Sequence, residues 1–168
     1  MSRTSKTLKV TPAGPGADGS LYGVVSVETA PHGKRKAIRA KPCQTCPWRK
    51  DAPIGAFPAE AYRISASTCY DAAMSVFSCH ESGTDKPATC AGFMLANSEH
   101  NLAVRLGLSN GSVDPVAYDN PEGVTLYEDY RAMAIANGVA EDDPAIAPCR
   151  GDMECFSAVN ERIRQTGV

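Results

Sequence analysis

The sequence predicts an α+β protein: a small mixed sheet with a cysteine-anchored metal site, packed helices and a helical C-terminal part. Three observations point there. Residues 21–30, LYGVVSVETA, alternate and are rich in valine, as a half-buried strand would be. Residues 74–79, MSVFSC, form a short apolar run suited to a buried strand that ends at Cys79. From Leu126 onward, LYEDYRAMAIANG and DMECFSAVNERIRQTG carry helical patterns.

The elements follow in chain order. Residues 1–20 include TPAGPGADGS and read as a flexible tail. The strand at 21–30 is broken by PHGKRK. Phe57-Pro58 opens a helix to about Tyr70, because proline suits a first helical turn. Cys69 falls on its apolar face and is expected in the core. After MSVFSC comes a turn-rich loop, HESGTDKPAT, and Cys90 then starts a helix, CAGFMLAN. NLAVRLGL either continues it or pairs as a strand. Residues 126–138 form an amphipathic helix closed by Asn137-Gly138. The last helix carries acidic residues early and Arg162 and Arg164 late, which suits the helix dipole. The expected organisation is a tail over 1–20, a metal-binding domain over 21–120, and a helical extension over 121–168 packed on it.

Of the 168 residues, 43% are hydrophobic and 21% charged, an ordinary globular balance. The net charge of -2 argues against a protein that grips duplex nucleic acid over its whole surface. The stretch 34–50 is basic, however, and is expected either to meet nucleic acid or another anion, or to be a solvated linker. No run approaches the roughly 20 apolar residues of a membrane span, and the first residues lack the apolar core of a secretory signal. The expectation is therefore a cytoplasmic protein without a membrane partner. In that compartment seven cysteines suggest metal or redox chemistry rather than a disulfide framework.

The chemistry concentrates in Pro42-Cys43-Gln44-Thr45-Cys46-Pro47-Trp48-Arg49. A C-x-x-C turn brings two thiolates to one cation, and its backbone N–H groups ease the negative charge on sulfur. A tetrahedral site needs two more ligands. Cys79 and Cys90 supply them, with His80 as the reserve ligand. Neighbours on a strand point apart, so Cys79 and His80 are not expected to share one ion. Zinc is the expected ion, and an iron–sulfur cluster is the alternative for four thiolates. Cys149 and Cys155 are expected as a packing or surface thiol, and His100 as a surface or capping residue.

These same residues resemble a known family. PCQTCPWRKDAPIGAFPAEAY, FSCH, CAGFMLA and NLAVRLGL are similar to small uncharacterised proteins common in actinobacteria and their bacteriophages, over about residues 40–114. The resemblance implies that Cys43, Cys46, Cys79, His80 and Cys90 act together. It also implies a link to nucleotide or DNA-base modification, such as 7-deazaguanine chemistry.

Three functions follow as expectations. The first is a zinc enzyme acting on a nucleobase or nucleotide. Zinc deaminases pair P-C-x-x-C with H/C-x-E; here the two halves occur in reversed order, with Cys79-His80-Glu81 second. His80 or Glu81 would then move protons. Arg49, Lys50 and Trp48 would hold the substrate. The second is a structural zinc staple in a binding or adaptor module. The third is an iron–sulfur redox protein. Walker, dinucleotide-binding and nucleophile-elbow motifs are missing from the sequence.

Overall fold

A computed structural model describes the backbone of Ser5–Val10 and Val25–Thr29, and then residues 37–83, 86–114, 123–151 and 154–167. The first two segments are strands β1 (Ser5–Val10) and β2 (Val25–Thr29), paired as an antiparallel ribbon. The second matches the alternating segment read at 21–30. Most of the 1–20 tail, His32 and the start of the basic stretch lie outside the described residues.

The expected mixed sheet is overturned. From residue 37 onward the described residues contain five short helices, two 3-10 turns and only isolated β-bridges. The fold is predominantly helical. The segment read as a buried strand, 74–79, makes a single bridge, Ser78 with Thr89. Its backbone is satisfied by a brief exchange in which Cys79 N–H donates to Ala88 O (2.8 Å) and Cys90 N–H donates to Phe77 O (2.9 Å). The chain then turns at His80–Ser82 rather than extending. A short apolar run does not distinguish a strand from an extended segment beneath a helix, and here the second packing holds.

Helix α1 (Ala59–Ser65) begins after Pro58 and tightens into a 3-10 turn over Ala66–Cys69. Helix α2 (Ala91–Ala96) starts directly after Cys90. NLAVRLGL forms a separate helix, α3 (Leu102–Ser109), because the Asn101 side chain accepts a hydrogen bond from Val104 N–H and restarts the helix. Helix α4 (Tyr130–Ala136) starts four residues later than its apolar pattern, where Asp129 caps Ala132 N–H at 2.8 Å. Leu126 and Tyr127 instead lie extended against the C-x-x-C segment, with Tyr127 N–H donating to Trp48 O and Lys50 N–H to Thr125 O. Helix α5 (Phe156–Thr166) closes the chain and is latched by Arg162, which bonds Glu154 and the carbonyls of Ala147 and Cys149.

Trp48 is the centre of the core, fully buried against Phe77 and Tyr130 (both 5.8 Å between centroids) and Phe93 (6.3 Å). Around this group pack Tyr62, Met133, Ile146, Cys69 and Cys149, so residues before and after position 120 share one core. Asn101 is buried in it with its amide satisfied, donating to Thr68 O and Ser75 O. No helix among the described residues is long and apolar enough to cross a membrane.

Candidate metal centre

Three pieces of backbone deliver the cysteines. The first is the Pro-flanked turn at 43–46, closed by Cys46 N–H donating to Cys43 O (3.1 Å). The second is the corner before His80–Ser82, where Cys79 stands at the turn's entry. The third is the start of α2, where Cys90 precedes the first helical residue. Cys43, Cys46, Cys79 and Cys90 are all buried, and Cys46 is wholly so.

Cys43, Cys79 and His80 form a group whose ligand atoms all lie within 4.8 Å of one another, and this group can hold a metal ion. The Cys43 thiol also contacts those of Cys46 and Cys79, and Cys46 Sγ lies 3.5 Å from Cys90 Sγ. The Zn–S bond length of about 2.3 Å gives sulfurs on one tetrahedral ion a separation of roughly 3.8 Å. The Cys46–Cys90 spacing is close to such an edge, and too long for the S–S bond of a disulfide.

Both Cys79 and His80 face this group, contrary to the expectation that neighbours point apart. That expectation assumed a strand. The chain leaves Cys79 in an extended conformation and enters a 3-10 turn at His80, which swings both side chains to one side. The His80 ring stands over Phe57, with centroids 5.0 Å apart, and its Nε2 lies 2.9 Å from Thr45 Oγ1. A hydroxyl on one ring nitrogen orients the other, as is common around metal-binding histidines. Burial holds the imidazole pKa below its usual value, so the ring is neutral near pH 7 and keeps a lone pair.

The thiols are strongly perturbed. The Cys46 thiol beside it, together with burial, pushes Cys43 up to about 12. The Cys43 contact and burial raise Cys79 further. At Cys46 the Cys43 contact pulls down, but the Cys90 contact and burial outweigh it and the net shift is upward. Crowded buried thiols resist ionisation when only one another are near. A bound cation reverses that preference, because each thiolate then faces positive charge.

The remaining sequence candidates are placed as follows. Trp48 has no face on solvent, because its ring is the centre of the core. Arg49 forms a two-pronged pair with Asp51 (2.7 and 2.6 Å), and Lys50 pairs with Glu128 (2.5 Å). Glu81 is exposed, 3.5 Å from Arg39. Cys69 and Cys149 are buried in the core away from this group, and Cys155 is exposed before α5.

Two residues escaped sequence reading. Thr45, inside the C-x-x-C turn, orients His80. Gly92 lets α2 approach the turn: a Cβ there would lie 2.7 Å from Trp48 Cβ and 2.9 Å from Cys46 Sγ. A lone glycine inside a helical pattern, two residues past Cys90, was the available signal for the second.

A small helical fold with cysteines gathered from three segments defines a class of cysteine-centred, potential metal-binding domains. The chain belongs to DUF6283, a family of unknown function, whose model matches residues 38–150. The match runs well past the segment of about 40–114 over which the resemblance was read, and it takes in α4 and the Ile146–Cys149 part of the core. No curated protein and no solved structure matches the chain.

Proposed function

We propose that the protein binds one zinc ion through Cys43, Cys46, Cys79 and Cys90, and that this ion staples the fold. The observation that supports it most is a row of buried thiol contacts across three separate segments, from Cys79 to Cys43, Cys43 to Cys46 and Cys46 to Cys90, the last at 3.5 Å. A structural zinc site is closed by four protein ligands, and thiolates select zinc among common ions. Thiols that touch one after another suit one ion better than a cluster, which spreads its cysteines over separate irons. His80 lies at the half-buried edge of the group and takes the fourth position if Cys90 withdraws.

A second reading, a zinc enzyme acting on a nucleobase or nucleotide, is supported by that same edge. His80 and the exposed Glu81 stand beside the ion's position, where a proton carrier would act. In that arrangement Cys43, Cys46 and Cys79 hold zinc, and water completes the shell.

Cobalt(II) substitution separates the two. Four thiolates give intense sulfur-to-cobalt charge transfer and tetrahedral d–d bands, unchanged by His80→Ala and weakened by Cys90→Ser. A spectrum of three sulfurs with an exchangeable fourth ligand, indifferent to Cys90→Ser, would overturn the staple and favour the enzyme.

A further inference from the structure

The cysteines of the candidate centre touch in a row. Cys79 contacts Cys43, Cys43 contacts Cys46, and Cys46 Sγ lies 3.5 Å from Cys90 Sγ. Such a row pairs off completely in one way: Cys43 with Cys79 at one end, and Cys46 with Cys90 at the other. The Cys43 and Cys79 sulfurs lie within 4.8 Å of each other. Closing Cys46 onto Cys90 needs about 1.5 Å of sulfur movement. Joining the middle two instead leaves Cys79 and Cys90 stranded at opposite ends.

The row is graded from outside to inside. Cys43 is 9% exposed and stands beside the half-buried His80, whereas Cys90 is 2% exposed and Cys46 not at all. A small oxidant therefore meets Cys43 before the inner pair. The two end pairs also tie the 43–46 turn to the 79–80 corner and to the start of α2. These are the segments that the proposed zinc ion joins.

We propose that the centre is a redox switch, in which a peroxide converts the row into the disulfides Cys43–Cys79 and Cys46–Cys90 and expels the zinc while the three segments stay joined. The pairing needs only the thiols; the release of zinc rests on the staple proposed above. In the first round the Cys43 thiolate attacks a peroxide oxygen and the O–O bond breaks. Hydroxide leaves and is protonated to water. The Cys46 thiolate attacks the Cys43 sulfenic acid, so that an S–S bond forms, the S–O bond breaks, and a second water leaves in the same way. Cys90 then attacks Cys46, which passes the disulfide inward and returns Cys43 as a thiolate. A second peroxide oxidises Cys43 again, and Cys79 closes the outer pair. Two peroxides thus take four electrons from four thiolates and, with four protons, leave as four waters. A disulfide sulfur carries no charge, so the ion loses its ligands.

The test treats the full-length protein, as purified, with two equivalents of hydrogen peroxide. A colorimetric chelator reads released zinc. Disulfides are mapped by mass spectrometry after alkylation of free thiols and cleavage with trypsin and a glutamyl endopeptidase. The peptide holding Cys43 and Cys46 is expected joined to both the Cys79 and the Cys90 peptides, with one zinc released per chain. A dithiol reductant and added zinc restore the starting state. Cys79→Ser loses the outer disulfide and keeps the inner one. Cys43→Ser slows the inner disulfide by about tenfold or more, because the oxidant has lost its point of entry. A closed Cys43–Cys46 loop as the end product, with Cys79 and Cys90 alkylated, would overturn the pairing. An inner disulfide that forms at an unchanged rate in Cys43→Ser would refute the relay, and both disulfides with zinc still bound would refute the switch. Protein purified without zinc would sink the staple, and the peptide map then decides the pairing by itself.

Discussion

At the scale of single residues, the site depends on a glycine as much as on its ligands. Gly92 has no Cβ, so Trp48 and Cys46 can lie against the first turn of α2. Gly92→Ala places a methyl group 2.7 Å from Trp48 Cβ, closer than real contacts allow. Overpacking of this kind costs about 1–3 kcal/mol. Because the same methyl also reaches Cys46 Sγ, metal affinity falls together with stability. Urea unfolding and a chelator competition on the variant measure the two effects, and lost stability with unchanged affinity would separate Gly92 from the site. Cys43, Cys79 and His80, the group that can hold a metal ion, all stood among the candidates that the sequence offered, because few residue types bind soft cations. The shared facing of Cys79 and His80 was not legible, since it depends on one backbone turn that spacing does not encode. The burial of Trp48 was likewise hidden. A tryptophan beside a C-x-x-C reads equally well as a binding platform or as a core, and only the approach of Phe77, Phe93 and Tyr130 decides it.

At the scale of elements, the helices were legible, and of the two strands read, the one at 21–30 is observed over Val25–Thr29 while the one at 74–79 is not. Proline before α1, Cys90 before α2 and Asn137-Gly138 after α4 all mark observed ends. The apolar pattern at 126–129 overshot α4, because Leu126 and Tyr127 hydrogen-bond the Trp48–Lys50 segment and Asp129 caps the helix beyond them. MSVFSC had the composition of a strand but found no second strand to extend along. Helix α5 lies beyond the matched family segment and is tied on by one ion pair above all. The Arg162 guanidinium beside Glu154 holds that carboxyl down at about 2, against an ordinary value of 4.5. A depressed carboxylate stabilises the fold fully above its unfolded value and loses that contribution as pH falls through its folded one. The docking of α5 therefore weakens between pH 4.5 and about 2. Amide exchange at Val159 and Ile163 is expected to quicken across that window. Glu154→Gln brings the faster exchange to neutral pH, and an α5 equally protected in both forms would contradict the assignment.

At the scale of the whole molecule, one core is assembled from short helices with little regular pairing between them. The longest described helix, α5, has 11 residues, too short to be stable alone in water, so tertiary contacts must supply the order. The metal crosslink proposed above would join the 43–46 turn, the 79–80 corner and the start of α2 and add to this core. Binding free energy at such a site is folding free energy. Removing the ion with a chelator under reducing conditions should then lower the thermal midpoint by at least about 10 °C, on the usual scale of degrees per kcal/mol for a domain of this size. Re-addition of zinc restores it. A midpoint indifferent to chelation would mean that the thiols pack as ordinary small hydrophobes, as Cys69 and Cys149 do. The family match agrees with the extent of this core, since it runs from Ile38 to Arg150 and takes in all three cysteine-bearing segments.

The central claim, one zinc ion on four thiols, is tested most directly by elemental analysis of protein purified anaerobically, beside the Cys43→Ser/Cys79→Ser double variant. The account predicts one equivalent of zinc per chain, no visible absorbance, and loss of the metal in the variant. Iron with sulfide, or a folded protein that holds no metal at all, would contradict it.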